Sequence, residues 1–153
     1  MIPLPRRVKT AVRLLQGPRD WWLALRTVGW MSILPFLKHI LPLPRLVRLM
    51  QRPGDGHGRR LNSELRAAAI VRGLCRTSGG NCLERSLILY RVLSRANASP
   101  SLVAGMGKTE DFIGHVWVDV DGRSLLESPQ TLAPYVEVMR FGPDGLRRPA
   151  QDG

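Results

Sequence analysis

The chain has 153 residues, 44% of them hydrophobic, which suffices for one domain to bury a core without staples. Cys75 and Cys82 are too few and too close for a secreted disulfide framework, and no CxxC or paired histidine spacing marks a zinc site. The net charge of +11 is uneven: residues 1–60 hold twelve Lys/Arg against Asp20 and Asp55, a balance of +10, and residues 61–153 hold eleven against ten acids, a balance of +1.

These figures predict a cytoplasmic protein with no metal and no other cofactor. No run of about 18 uncharged apolar residues offers a membrane-spanning helix. Residues 1–16 scatter their basic side chains rather than placing them ahead of an apolar stretch, so no cleavable signal peptide is expected. The basic arm asks for an anionic partner, such as an acidic peptide, a protein or a membrane surface. Nucleic acid is not expected, because RNA-binding signatures and helix-turn-helix patterning are absent.

The division expected is a basic helical region over 1–60, a catalytic unit over 61–145 and a disordered tail over 146–153. Residues 6–16 form a short amphipathic helical pattern that ends at Gly17-Pro18. Asp20 can cap a second helix through Trp21, Trp22, Leu25 and Val28, with Pro35 kinking or ending it. A third short helix follows Pro42 and Pro44 to about Gln51, and residues 52–59 read as a linker. Trp21, Trp22 and Trp30 are read as helix-packing residues, with peripheral membrane contact or partner docking as the alternative. The arm as a whole is expected to dock a partner or an acidic stretch of substrate rather than to join the core.

Asn62 or Ser63 can cap a helix carrying Leu65, Ala69, Ile70 and Leu74, which stops at residues 77–80. Cys82 opens the next, over 82–96, with Leu83, Leu87, Tyr90 and Leu93 apolar and Asn97 as a left-handed stop. The period then turns from helical to alternating, giving strands over 102–106, 112–120, 123–127 and 135–139. Helices followed by a run of antiparallel strands predict an α+β fold.

Cys82 follows a Gly-Gly pair at the start of a helix. Unpaired backbone N–H groups and the positive dipole end there favour a thiolate and can donate to an oxyanion. Cys75 lies in the last turn of the preceding helix, where the dipole disfavours its thiolate, and reads as structural. In the strand 115–120 the valines face one way, toward a core, and His115, Trp117 and Asp119 face the other. Trp117 can wall a cleft or pack against Leu125.

Two hairpin registers compete around Asp121-Gly122. A three-residue loop over 120–122 pairs Asp119 with Arg123, Trp117 with Leu125 and His115 with Glu127. A two-residue turn sets Glu127 opposite Val116 and His115 opposite Ser128. The first is preferred, because it gives the imidazole a carboxylate partner and completes a Cys82–His115–Glu127 triad.

The helix Asn81-Cys82-Leu83-Glu84-Arg85-Ser86-Leu87 and the strand Gly114-His115-Val116-Trp117-Val118-Asp119-Val120 resemble the transglutaminase-like, papain-related fold. More narrowly, they are similar to the leader peptidases of lasso-peptide biosynthesis, which join a Cys-Leu-x-Arg-Ser-Leu helix to a His-x-Trp-Val strand. The resemblance covers about residues 62–140. It implies catalytic roles for Cys82, His115 and Glu127, the family's acid usually being aspartate. It also implies cleavage of a leader from a ribosomal precursor peptide, a separate small leader-binding protein, and an ATP-dependent macrolactam cyclase. Relatives that fuse the leader-binding domain carry a β-rich segment, whereas residues 1–60 look helical, so a stand-alone peptidase is expected. Two other functions share these features. One is acyl transfer to an amine by the same triad, and the other is a non-catalytic basic adaptor.

Overall fold

The computed structural model describes residues 17–52, 61–78, 81–108 and 113–150. The helix expected over 6–16, most of the linker expected at 52–59, and Gly79-Gly80 lie outside them. The first helix, α1 (Pro18–Ile40), starts from Gly17 rather than from Asp20. Pro18 occupies its first turn, where a missing N–H costs no hydrogen bond. Asp20 lies inside that turn, near the positive dipole end, and binds Arg66 at 2.7 Å. Pro35 does not end the helix. The hydrogen bond lost at a helical proline costs about 3 kcal/mol, and the packing of Leu34, Trp30, Met31 and Leu37 against the core outweighs it.

After α2 (Leu43–Met50) come α3 (Leu61–Ser78) and α4 (Cys82–Arg95). The chain then builds β1 (Ser101–Gly107), β2 (Gly114–Val120), β3 (Arg123–Ser124), α5 (Pro129–Leu132), β4 (Tyr135–Phe141) and β5 (Arg147–Arg148). The strands form one antiparallel sheet in the order β3-β2-β1-β4-β5. The helices-then-strands order predicted from the change of period is the α+β arrangement observed. Asn97 takes the left-handed conformation expected of it, at φ 58°.

Core packing centres on α4, which touches α1, α2, α3, β1 and β2. Leu87, Ile88, Leu89, Tyr90 and Leu93 of α4 meet Val118 and Val120 of the valine face, as its alternation predicts. Leu34 of α1 and Leu46, Val47 and Met50 of α2 are buried in this same cluster. Arg91 of α4 ties the layers together. Its guanidinium lies 4.5 Å over the Trp30 ring and donates to the Leu49 carbonyl at 3.0 Å. Residues 18–50 thus join the core through one face, which differs from the docking arm expected.

The tail also differs. Arg147 and Arg148 pair with Phe141 and Arg140, and Arg148 is held by Asp144 at 2.5 Å. A Gly-Pro-Asp-Gly turn makes this hairpin, with Gly145 at φ 72°. Residues 151–153 lie outside the described residues.

The hairpin after β2 takes the two-residue register, not the preferred three-residue one. Val120 pairs with Arg123, Asp119 with Ser124, and Asp121 and Gly122 sit at φ 53° and 74°. Positive φ at both central residues is the type I′ turn, whose twist matches that of the strands, and Asp-Gly tolerates it best. The pairing ends at Ser124. Leu125 still donates to the Val118 carbonyl at 3.3 Å, but Leu125 and Leu126 turn in against the core. Asp119 consequently meets Arg140 of β4 at 3.0 Å, not Arg123.

Candidate active site

The start of α4 is set by Asn81, whose side-chain oxygen accepts the Glu84 N–H at 2.9 Å. Cys82 is the first helical residue and is partly exposed. Its N–H and that of Leu83 belong to the first-turn amides that have no intrahelical acceptor. Glu84 is buried and paired with Lys38 of α1 at 2.6 Å, so the first helix helps to hold this turn.

Arg85 and Ser86, three and four residues on, share the helix face of Cys82. Ser86 Oγ donates to the Val116 carbonyl at 2.8 Å, along the stretch of β2 that β3 leaves uncovered by ending at Ser124. Arg85 Nη2 meets Glu127 Oε1 at 2.5 Å. The Cys82 face of α4 is therefore turned toward β2 and toward the residue that leaves the hairpin.

His115 lies near the start of β2, with Nε2 3.7 Å from the same Glu127 Oε1. That is ion-pair range but longer than a hydrogen bond, and Nε2 has no hydrogen-bond partner among the described residues. The carboxylate contact expected from one register is reached through the other, because the inward turn of Leu125 and Leu126 carries Glu127 back to β2. The Nε2 edge of the ring therefore faces Glu127.

The imidazole stacks on Trp117, with centroids 6.1 Å apart, and on Tyr135 of β4, at 5.0 Å. Between β2 and β4 runs β1, where Gly105 pairs with His115 and Gly107 with Tyr135. A Cβ at Gly105 would sit 2.7 Å from the Trp117 ring and 3.1 Å from the Val136 carbonyl. Only glycine lets these rings lie flat across the strand. Trp117 itself is buried, and it lines a cleft of about 520 Å³ with Asp119, Glu127, Pro129 and Leu132. It walls the cleft and stacks on His115, whereas Leu125 packs against the core cluster.

Burial pulls the His115 pKa below its ordinary 6.5; the Glu127 carboxylate opposes this, and the Arg85 guanidinium adds to it. The balance favours the neutral ring. The acid limb of the pH–rate profile is accordingly expected below pH 6.5. Arg85→Met should move the limb up, since it removes a repelling charge and frees the carboxylate for His115. Glu127→Gln should move it down. Opposite shifts of the two limbs, measured as kcat/KM against pH, check this assignment.

Cys75 contrasts with Cys82. It is 4% exposed, and burial pushes its pKa from 9.0 to about 11, with Arg85 opposing and Glu84 assisting. No group of three or more His, Cys, Asp or Glu among the described residues is placed to hold a metal.

Arg85 and Ser86 stand in the sequence motif without an assigned role, and Tyr135 is not part of any motif. For Arg85 and Ser86 a signal existed, their helical spacing from Cys82. Tyr135 has none, because only the strand order brings it to His115.

A helix that opens with a cysteine and packs on an antiparallel sheet, with a histidine and a carboxylate meeting at that sheet, is the transglutaminase-like architecture. The Transglutaminase-like superfamily matches residues 22–140, more than half of the chain, and the chain belongs to it. The match runs from within α1 to within β4. The superfamily includes cysteine proteases and acyltransferases. Neither a curated protein nor a solved structure matches the chain.

Proposed function

We propose that the protein is a cytoplasmic cysteine peptidase that removes the leader from a ribosomally made lasso-peptide precursor. The observation that carries the chemistry is the half-buried His115 with Nε2 3.7 Å from Glu127 Oε1, on the strand to which the Cys82 helix is bonded. The finer specificity rests on the resemblance of the Cys-Leu-x-Arg-Ser-Leu and His-x-Trp-Val motifs.

In this reading Cys82 Sγ attacks the scissile carbonyl while His115 takes the thiol proton. First-turn N–H groups of α4 donate to the oxyanion. His115 returns the proton to the leaving amine, which departs and leaves a thioester on Cys82. Water, deprotonated by His115, then attacks the thioester and releases the leader with a free carboxylate. Glu127, held by Arg85, orients the imidazole and stabilises its charged form. A small leader-binding protein presents the precursor, and an ATP-dependent cyclase closes the product.

The test combines the full-length protein, a precursor peptide and the leader-binding protein, with mass spectrometry of the products. Two fragments whose masses add to the precursor plus one water are expected, together with a Cys82-linked acyl adduct on acid quenching. Transfer of the leader to an added amine in preference to water would replace the peptidase reading with the acyltransferase one. An intact precursor would overturn both.

A further inference from the structure

One face of α1 packs into the core through Ala24, Thr27 and Leu34. The opposite face is apolar as well. Trp22, Leu25, Gly29, Ile33, Phe36 and Ile40 follow one another at spacings of three and four, the period of a single helical face, and Trp21 and Val28 adjoin them. The seven large residues among these are 47–68% exposed. They form a stripe about 27 Å long at 1.5 Å rise per residue. An apolar surface this extended marks a contact site on a water-soluble molecule.

Charge identifies what covers it. Residues 1–52 hold ten Lys/Arg and a single acid, Asp20, which is bound to Arg66. Arg19 on α1 and Arg45 and Arg48 on α2 are exposed. A second copy would bring an equally basic arm against this one, and like charges would oppose the contact. An anionic lipid surface satisfies both features at once. The stripe lies along one convex helix, and a bilayer interface needs no complementary groove. Tryptophans at one end and cations nearby are the composition of helices that lie in the headgroup plane. None of the described helices is long and apolar enough to cross a membrane, so contact is in the plane of the surface.

We infer that the outer face of α1 seats the protein on an anionic bilayer, with the exposed arginines of α1 and α2 adding to the attraction. The inference stands on α1 and its charge, and it does not depend on the reaction at Cys82.

The test is sedimentation of the full-length protein with phosphatidylcholine vesicles, with and without phosphatidylglycerol. Binding to the anionic vesicles alone is expected, weakening as salt rises. Leu25→Glu and Phe36→Glu should each lower the vesicle partition coefficient by about tenfold or more, the loss expected from unburying one large apolar side chain. Both lie on the exposed face, so circular dichroism should be unchanged. No vesicle binding would overturn the inference, and so would binding that both substitutions leave intact, which would mean charge alone. A dimer, or a protein complex formed in place of vesicle binding and lost on Phe36→Glu, would assign the stripe to that partner instead.

Discussion

Cys82→Ala is expected to lower precursor cleavage by about 10⁴-fold or more, the scale on which enzymes lose activity with their nucleophile. Cys75→Ala should leave most of it. The two thiols sit at opposite ends of adjacent helices and differ in access, Cys75 being buried and Cys82 partly exposed. A rise from 9.0 to about 11 leaves Cys75 with roughly a hundredfold less thiolate at neutral pH than an ordinary cysteine. An iodoacetamide time course should therefore label Cys82 first, and Cys82→Ala should remove the fast phase. Equal loss of cleavage from the two substitutions, in proteins of unchanged circular dichroism, would remove Cys82 from the role of nucleophile. The expected amplitude rests on the reading of the reaction; the order of labelling rests on burial alone.

Much of this site was legible because its signals are local. A Gly-Gly stop ahead of Cys82, helical spacing through Leu93 and strict alternation from His115 to Val120 each name an element from nearest neighbours. The hairpin register differs from the expected one because two local signals disagree. Cross-strand chemistry favoured pairing His115 with Glu127, while Asp-Gly favoured the tight turn. The turn prevailed, since its conformation is fixed within four residues, whereas the pairing needed a ladder that stops at Ser124. Glu127 reaches His115 all the same, carried by the burial of two leucines that no pairing rule includes. The core packing of α1 and α2 differs from the expected arm for the opposite reason. The arm's composition is apolar on nearly every face, and sequence alone does not say which face the core takes.

Removing residues 1–52 is expected to unfold the protein rather than to release a working catalytic unit. Leu34, Leu46, Val47 and Met50 are at most 1% exposed and pack in the cluster that contains α4 and β2. Burial of one such side chain contributes about 1.5–3 kcal/mol, so four together contribute about 6–12 kcal/mol. That matches the whole stability of a small domain, about 5–15 kcal/mol. The truncation also strips Glu84 of Lys38, Arg66 of Asp20, and Arg91 of its Leu49 acceptor and the Trp30 ring. Each loss leaves a charge without that partner, and Glu84 and Arg91 are buried. Because Glu84 lies in the first turn of α4, the damage reaches the residues around Cys82. Deleting residues 1–16 leaves all of these contacts in place. Near-ultraviolet circular dichroism and thermal melts should show a lost cooperative transition for the longer deletion and a retained one for the shorter. A truncated chain starting at residue 53 that melts cooperatively would mean that the α1–α2 layer is separable from the core it touches. Vesicle binding distinguishes the two faces of α1: Phe36→Glu should cost binding and keep the melt, whereas Leu34→Ala should lower the melting temperature by several degrees, from a core loss of about 2–5 kcal/mol.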